Sequence, residues 1–174
     1  MKINVEEIKD TEKEAAFVEE VSEINEALAI TGVVDYQFQA PVPVELRYYR
    51  LGEDLLFHGR FDGAVRGTCA RCLVEYPFPV KDDFTFVMKP ASATEADGEL
   101  GDEDLSLSFY DGDEVDLSPL LREAMMLSLP TRPLCKDDCR GLCPRCGANR
   151  NTTECGCRDD WADPRLEVLR TIKR

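Results

Sequence analysis

A single histidine, His58, stands in 174 residues. Catalytic zinc sites use His or carboxylate ligands with one open position, so this scarcity argues against metal-assisted hydrolysis. No apolar run approaches the ~20 residues that a membrane-spanning helix needs. The opening stretch "MKINVEEIKDTEKEAA" has no basic segment followed by an apolar one, so no secretory leader is expected and a cytoplasmic protein is. Also missing are a Ser–His–Asp spacing, a glycine loop that would cradle phosphate, and an isolated carboxylate pair among so many acids. The expectation is a protein that is not an enzyme, with no small-molecule substrate and no membrane partner.

Cysteine, by contrast, is abundant. Six of the eight lie in "PLCKDDCRGLCPRCGANRNTTECGC", residues 133–157. A chain of this length buries roughly 70% of its unfolded surface and needs no cross-links to fold. In a reducing compartment, clustered thiols more often hold metal than pair as disulfides. Two cysteines separated by two residues reach one ion from a single tight turn, and "CARC" at 69–72 and "CPRCG" at 143–147 both have that form. Cys155 and Cys157 are two apart, so on an extended segment both face the same way. They complete a tetrahedron with Cys143 and Cys146. Cys135 and Cys139 then pair with the distant Cys69 and Cys72.

The eight thiols thus divide into two four-cysteine zinc sites, two Zn²⁺ per chain. A second division stays open, with Cys135, Cys139, Cys143 and Cys146 in one set and Cys69, Cys72, Cys155 and Cys157 in the other. The first is favoured because it gives one compact local site and one that clips the Cys-rich segment to the body. Cys139, Cys143 and Cys146 also show the C-x₃-C-x₂-C spacing of radical iron–sulfur enzymes, but the large barrel those enzymes need has no counterpart here. A thioredoxin-type redox pair needs a βαβ context that is equally missing.

Periodicity supplies the frame. Val42, Val44, Leu46 and Tyr48 share one face of a strand. Leu55, Phe57, Phe61 and Val65 mark a second, with His58 on its solvent-facing side and "RLGEDL" as the hairpin connection. Tyr76, Phe78 and Val80, then Phe84, Phe86 and Met88, predict two more strands. "MKINVEEIK" alternates loosely as a short strand, and Phe17, Val21, Ile24 and Leu28 fall near helical spacing. Residues 91–116 are acidic and Gly-punctuated, predicting an exposed, mobile loop. Ser118 and Pro119 open a helix, "PLLREAMMLSL", that is apolar nearly all round and reads as buried. Asp163 and Pro164 precede a short C-terminal helix through Leu166, Leu169 and Ile172. The fold class is therefore α+β: an antiparallel β-sheet packed by a buried helix, with a C-terminal Cys-rich, zinc-ribbon-like module. Residues 1–130 form the body, and residues 131–174 form the zinc-binding module and C-terminal helix, packed on that body.

The net charge of −14 is unevenly spread. Residues 1–121 carry 10 Lys/Arg against 27 Asp/Glu, a balance of −17, while residues 122–174 carry 11 against 8, a balance of +3. Basic charge travels with the cysteines.

At "CARCL", "LREAMMLSLP" and "PLCKDDCRGLCPRCGANRN…CGC…DPRLEVL", the chain resembles the YceD-like family, the bacterial large ribosomal RNA subunit accumulation proteins, long a domain of unknown function. The similarity runs from "MKINVEEIK" to "DPRLEVL", and its specific part is 134–147. One departure is Arg150 in "GANRN", where an apolar residue is expected. The resemblance implies a place in accumulation or processing of large-subunit ribosomal RNA. It brings a role to the basic residues around the cysteines, Arg132, Lys136, Arg140, Arg145, Arg150 and Arg158, as contacts to ribosomal RNA phosphates or an assembly intermediate. The alternative is an acidic protein-binding module that holds a basic ribosomal protein before assembly.

Overall fold

The computed structural model describes residues 1–30, 36–91 and 107–157. Strands β1 (Lys2–Asn4), β2 (Lys13–Glu19), β3 (Tyr36–Phe38), β4 (Val42–Leu51), β5 (Asp54–Thr68), β6 (Glu75–Pro90), β7 (Leu107–Tyr110) and β8 (Glu114–Asp116) are joined by helices α1 (Ser22–Ile30) and α2 (Ser118–Leu127). Six strands form one sheet in the order β2-β4-β5-β6-β7, with β3 beside β5 after β4 leaves it. β1 and β8 pair separately.

Period-two alternation builds the centre. In β4, Val42, Val44, Leu46 and Tyr48 are buried, and Pro43, Glu45 and Arg47 between them face solvent. A two-residue turn joins β4 to β5, with Leu51 paired to Asp54 and Gly52 at φ 63. That left-handed turn suits the twist of the flanking strands. β5 and β6 then run antiparallel through fourteen registered pairs, from Leu55↔Met88 to Thr68↔Glu75. β7 adds to β6 in parallel, so the sheet is mixed and not wholly antiparallel.

Both helices and the β1–β8 pair cover one face. Ile24 and Leu28 of α1, Leu121 and Met125 of α2, and Ile3 and Val115 of the small pair join the sheet residues in a single apolar core. Asn25 ties α1 to β3: its Nδ2 donates to the Phe38 carbonyl (3.0 Å) and its Oδ1 accepts from the Phe38 N–H (2.9 Å). Glu19, buried on β2, binds Arg122 of α2 at 3.5 Å, and Arg122 also reaches Glu23 at 2.6 Å. A buried carboxylate needs such partners. The opposite face is wet, and its cations are matched to acids: Arg60 with Glu45, Lys81 with Asp62, and Arg66 with Glu75.

Several expectations need correcting. The two strands expected over 76–88 are one strand, because Asp82 sits opposite Phe61 without breaking the register. Phe17 belongs to β2, where pairing with Val44 overrides its helical spacing. Part of the expected loop is ordered: Leu107–Tyr110 and Glu114–Asp116 are strands, while 92–106 lie outside the described residues. Ser118 does not cap α2; Leu117 occupies the cap position, and the Ser118 hydroxyl donates to Glu19. Nor is α2 buried all round, since Leu127 is 78% exposed. The C-terminal helix expected after Asp163 lies outside the described residues.

Open sheet edges invite further pairing. Beyond the four β7 pairs, the edge of β6 that no described strand covers carries Pro77 and Pro79 and then Lys81, Asp82 and Asp83. Proline lacks the donor and the charges repel a neighbour, so this edge is blunted.

Gly59 is the tightest point of the sheet. A Cβ there would lie 2.4 Å from the Phe84 ring and 2.6 Å from the Glu45 carbonyl oxygen. The backbone oxygen cannot swing aside as a side chain can. Gly59→Ala is therefore expected to cost about 2–3 kcal/mol in urea unfolding, at the upper part of the overpacking range; a variant with wild-type stability would contradict the close packing.

Candidate metal centre

The turn between β5 and β6, the two longest strands, is the "CARCLV" segment at 69–74. The Cys69 N–H donates to the Val74 carbonyl (3.0 Å), so the hairpin ladder continues into it. The Leu73 N–H closes back on the Cys69 carbonyl (2.9 Å), and Leu73 takes φ 58 to allow it. "CPRCG" repeats the geometry. The Gly147 N–H donates to the Cys143 carbonyl (2.9 Å), with Gly147 at φ 72. Here glycine holds the left-handed position at little steric cost, while the first turn places a leucine there.

The Cys-rich segment docks on the first turn through its backbone. The Ala70 N–H donates to the Pro133 carbonyl (2.9 Å) and the Leu142 N–H to the Arg71 carbonyl (3.0 Å). The Arg71 guanidinium donates to the Cys139 carbonyl (2.9 Å). Around "CPRCG" a small hairpin closes, with an antiparallel bridge between Leu142 and Asn149 and the Cys143 N–H on the Ala148 carbonyl.

The eight sulfurs fall into two groups. Cys69, Cys72, Cys135 and Cys139 form one, and Cys143, Cys146, Cys155 and Cys157 form the other; within each, all ligand atoms lie within 4.8 Å of one another. In the first group Cys69 and Cys139 sulfurs are 3.7 Å apart, and those of Cys72 and Cys135 are 3.6 Å apart. A tetrahedral ion with metal–sulfur bonds of about 2.3 Å requires edges of about 3.8 Å. The spacing fits zinc-like tetrathiolate coordination, and all eight cysteines are free thiols.

Backbone amides prepare the sulfurs for negative charge. Burial works against ionising Cys69, but N–H groups of Cys135, Arg71 and Cys72 outweigh it and bring its pKa down to about 6. Amides of Cys146 and Arg145 lower Cys143 to about 6 in the same way. Cys139 is also lowered; burial opposes this, while the Asn151 side chain and the Gly141 amide favour the thiolate. Cys72, Cys135, Cys155 and Cys157 move the other way. Burial and then the neighbouring sulfurs push Cys135 up to about 12, and Cys146 and Cys143 do the same to Cys157. Within each group some thiols ionise readily and others resist, a penalty that a bound dication removes.

The two groups differ in setting. Cys69, Cys72 and Cys139 are buried beside Tyr76, Leu134 and Leu142, whereas Cys146 and Cys157 are exposed. Among the predicted basic residues, Arg132, Lys136, Arg140 and Arg145 are exposed and Arg150 is half-buried on this segment. Arg150 closes the fold through its backbone N–H, which donates to the Gly141 carbonyl (2.9 Å), so the unusual side chain at this position does not disturb the turn. Lys136 lies 3.5 Å from Asp138. Arg158 lies outside the described residues.

Sequence reasoning missed the supporting layer. Asn151 donates from Nδ2 to the Cys139 sulfur (3.4 Å) and accepts the Arg140 N–H (2.9 Å) on Oδ1. Asn149 in turn holds Asn151 through two bonds to its own Oδ1 (3.0 and 2.8 Å). The available signal was "GANRN" itself, since asparagines close local turns with their side chains.

No helix among the described residues is long and apolar enough to cross a membrane. Fold and site together define an α+β protein whose mixed sheet carries a tetracysteine cluster on its longest hairpin and a second cluster beyond it. The chain belongs to the family described as "Large ribosomal RNA subunit accumulation protein YceD", whose profile matches residues 57–173, a span holding all eight cysteines. An uncharacterised protein of Mycobacterium tuberculosis strain H37Rv is 35% identical over 131 residues, 75% of this chain and 61% of its own length. The chain thus spans about three fifths of the mycobacterial relatives it matches. The uncharacterised protein YlbN of Bacillus subtilis is 22% identical over 173 residues, 99% of this chain and 96% of its own length. A maize protein named "Large ribosomal RNA subunit accumulation protein YCED homolog 1, chloroplastic" is 39% identical over 64 residues, 33% of this chain and 22% of its own length. No solved structure matches.

Leu73 tests the equivalence of the two turns. Its left-handed backbone costs about 1–2 kcal/mol, against roughly 0.5–1 kcal/mol of extra chain entropy for glycine. Leu73→Gly should leave thermal stability unchanged or raise it by up to about 1 kcal/mol; a clear loss would show that the leucine side chain supports the turn.

Proposed function

We propose that this protein is a non-enzymatic, zinc-binding ribosome-biogenesis factor of the cytoplasm that binds large-subunit ribosomal RNA or a pre-ribosomal particle through the basic face of its Cys-rich module. The reading is carried by one contrast. On the wet face of the sheet, Arg47, Arg60, Arg66 and Lys81 each have a carboxylate partner, whereas Arg132 and Arg140 have no ion-pair partner among the described residues. An arginine not engaged in an ion pair is available to a phosphodiester, and neutralising phosphates releases counterions. The printed name of the maize relative supports the same pathway.

Cys69, Cys72, Cys135 and Cys139 would hold one Zn²⁺, and Cys143, Cys146, Cys155 and Cys157 the other. Four thiolates close the coordination shell, so each ion supplies folding free energy and no reaction centre. The first set joins residues 63 and 70 positions apart, which is where closing a long loop gains most. Its consequence is placement: Arg132, Lys136, Arg140 and Arg145 are held on the sheet by a group they do not themselves belong to.

Two measurements test this. Native mass spectrometry should find two Zn²⁺ per chain, and Cys143→Ser should lose one while the sheet remains folded; iron, or a single ion in the wild type, would overturn the assignment. Affinity for large-subunit ribosomal RNA should fall with salt, and Arg132→Ala with Arg140→Ala should reduce the slope of log K against log salt by about 1.5, at 0.7–0.9 per lost phosphate contact. Binding to a basic ribosomal protein with no RNA affinity would instead favour the acidic body as the contact.

A further inference from the structure

Tyr76 opens the inner face of β6 directly after the "CARCLV" turn, and its ring packs on the cluster of Cys69, Cys72 and Cys139 with Leu134, Cys135 and Leu142. Its hydroxyl is buried, and it is the one buried side-chain nitrogen or oxygen among the described residues without a hydrogen-bond partner. The neighbouring tyrosine shows the usual solution: Tyr36, tilted against the same Phe78 ring that Tyr76 meets edge-on, donates its hydroxyl to the Pro130 carbonyl at 2.8 Å. A phenol buried in an apolar pocket is costly if its O–H stays unpaired, and phenylalanine would fill the same space without the cost.

The polar atoms of the cluster on which the Tyr76 ring packs are sulfurs, those of Cys69, Cys72, Cys135 and Cys139. As thiols they are weak acceptors, but as metal-bound thiolates they carry the negative charge that a buried O–H can answer. Asn151 already makes such a bond to Cys139 from the other side (3.4 Å). We propose that Tyr76 is a positioning residue of the buried four-cysteine site, its unpaired hydroxyl turning to donate to one of that set's thiolates when the ion is bound. The role rests on reading that set as a metal site. It gives the buried cluster two outer donors, Tyr76 from the sheet and Asn151 from the Cys-rich segment, so that both halves of the molecule register the ion.

The test uses the full-length chain carrying Cys157→Ser, in which only the buried set remains complete, loaded with Co²⁺. Adding Tyr76→Phe should shift the sulfur-to-cobalt charge-transfer bands and lower metal affinity in chelator competition by about tenfold or more, the usual effect of removing an outer-layer hydrogen bond. Tyr36→Phe is the control for structural loss: it should lower thermal stability and leave the cobalt spectrum unchanged. Unchanged bands and affinity in Tyr76→Phe would overturn the proposal, most plainly if the variant melts higher, as expected when an unpaired buried hydroxyl is deleted. Failure of the Cys157→Ser protein to take up Co²⁺ at all would overturn the metal reading together with it.

Discussion

None of residues 133–157 belongs to the main apolar core; among the described residues that core ends in sequence with α2 and the residues just after it. What holds the Cys-rich segment to the sheet is the convergence of four sulfurs at the end of the β5–β6 hairpin, backed by a few backbone hydrogen bonds and the Arg71 guanidinium. This is a small contact by the standard of a packed domain. Its strength depends on what the sulfurs can bind, because apolar area of a handful of residues supplies only a few kcal/mol in its own right. The placement of every basic residue on the segment follows from that junction.

The hairpin suits the task. β5 and β6 are long, paired along nearly their whole length, and packed by aromatic rings that approach close to Gly59. A rigid pair of strands delivers the first two thiols from a turn whose amides already point at sulfur. The same amide arrangement recurs at "CPRCG". One local solution is used twice, once on a sheet and once on a short hairpin with little support beneath it. The buried cluster is thereby the anchor, and the second cluster gathers residues 143–157.

Charge follows the same division. The sheet's wet face pairs its cations with acids, giving a surface with little net pull on polyanions, since exposed pairs of this kind contribute mainly local order. Among the described residues, the Cys-rich segment lacks that matching at Arg132 and Arg140. Basic charge is thereby set apart locally in a chain that is acidic overall.

Much of this was legible in the residues. Alternation of Val42, Val44, Leu46 and Tyr48 with their exposed neighbours could only be a half-buried strand, and "RLGEDL" could only be its turn. Cysteine spacing named the two tight turns, because two thiols on one short turn is a local property of the chain. Where long-range pairing competed with local pattern, local pattern lost: Phe17 joined β2 against its helical spacing, and Ser118 gave its hydroxyl to Glu19 in place of capping α2. Which distant cysteines meet was open to two divisions on paper; only the path of β5 and β6 brings the turn at 69–72 against Cys135 and Cys139. Tyr76, Asn149 and Asn151 had no meaning as supports until the sulfurs were placed, since a hydrogen bond to sulfur is a fact about two segments at once. The sequence by itself determined the strands, the turns and the thiol chemistry, all governed by neighbours along the chain. Tertiary structure alone decided the grouping of the thiols and the layer around them, because those depend on residues 60 or more positions apart arriving within a few ångströms.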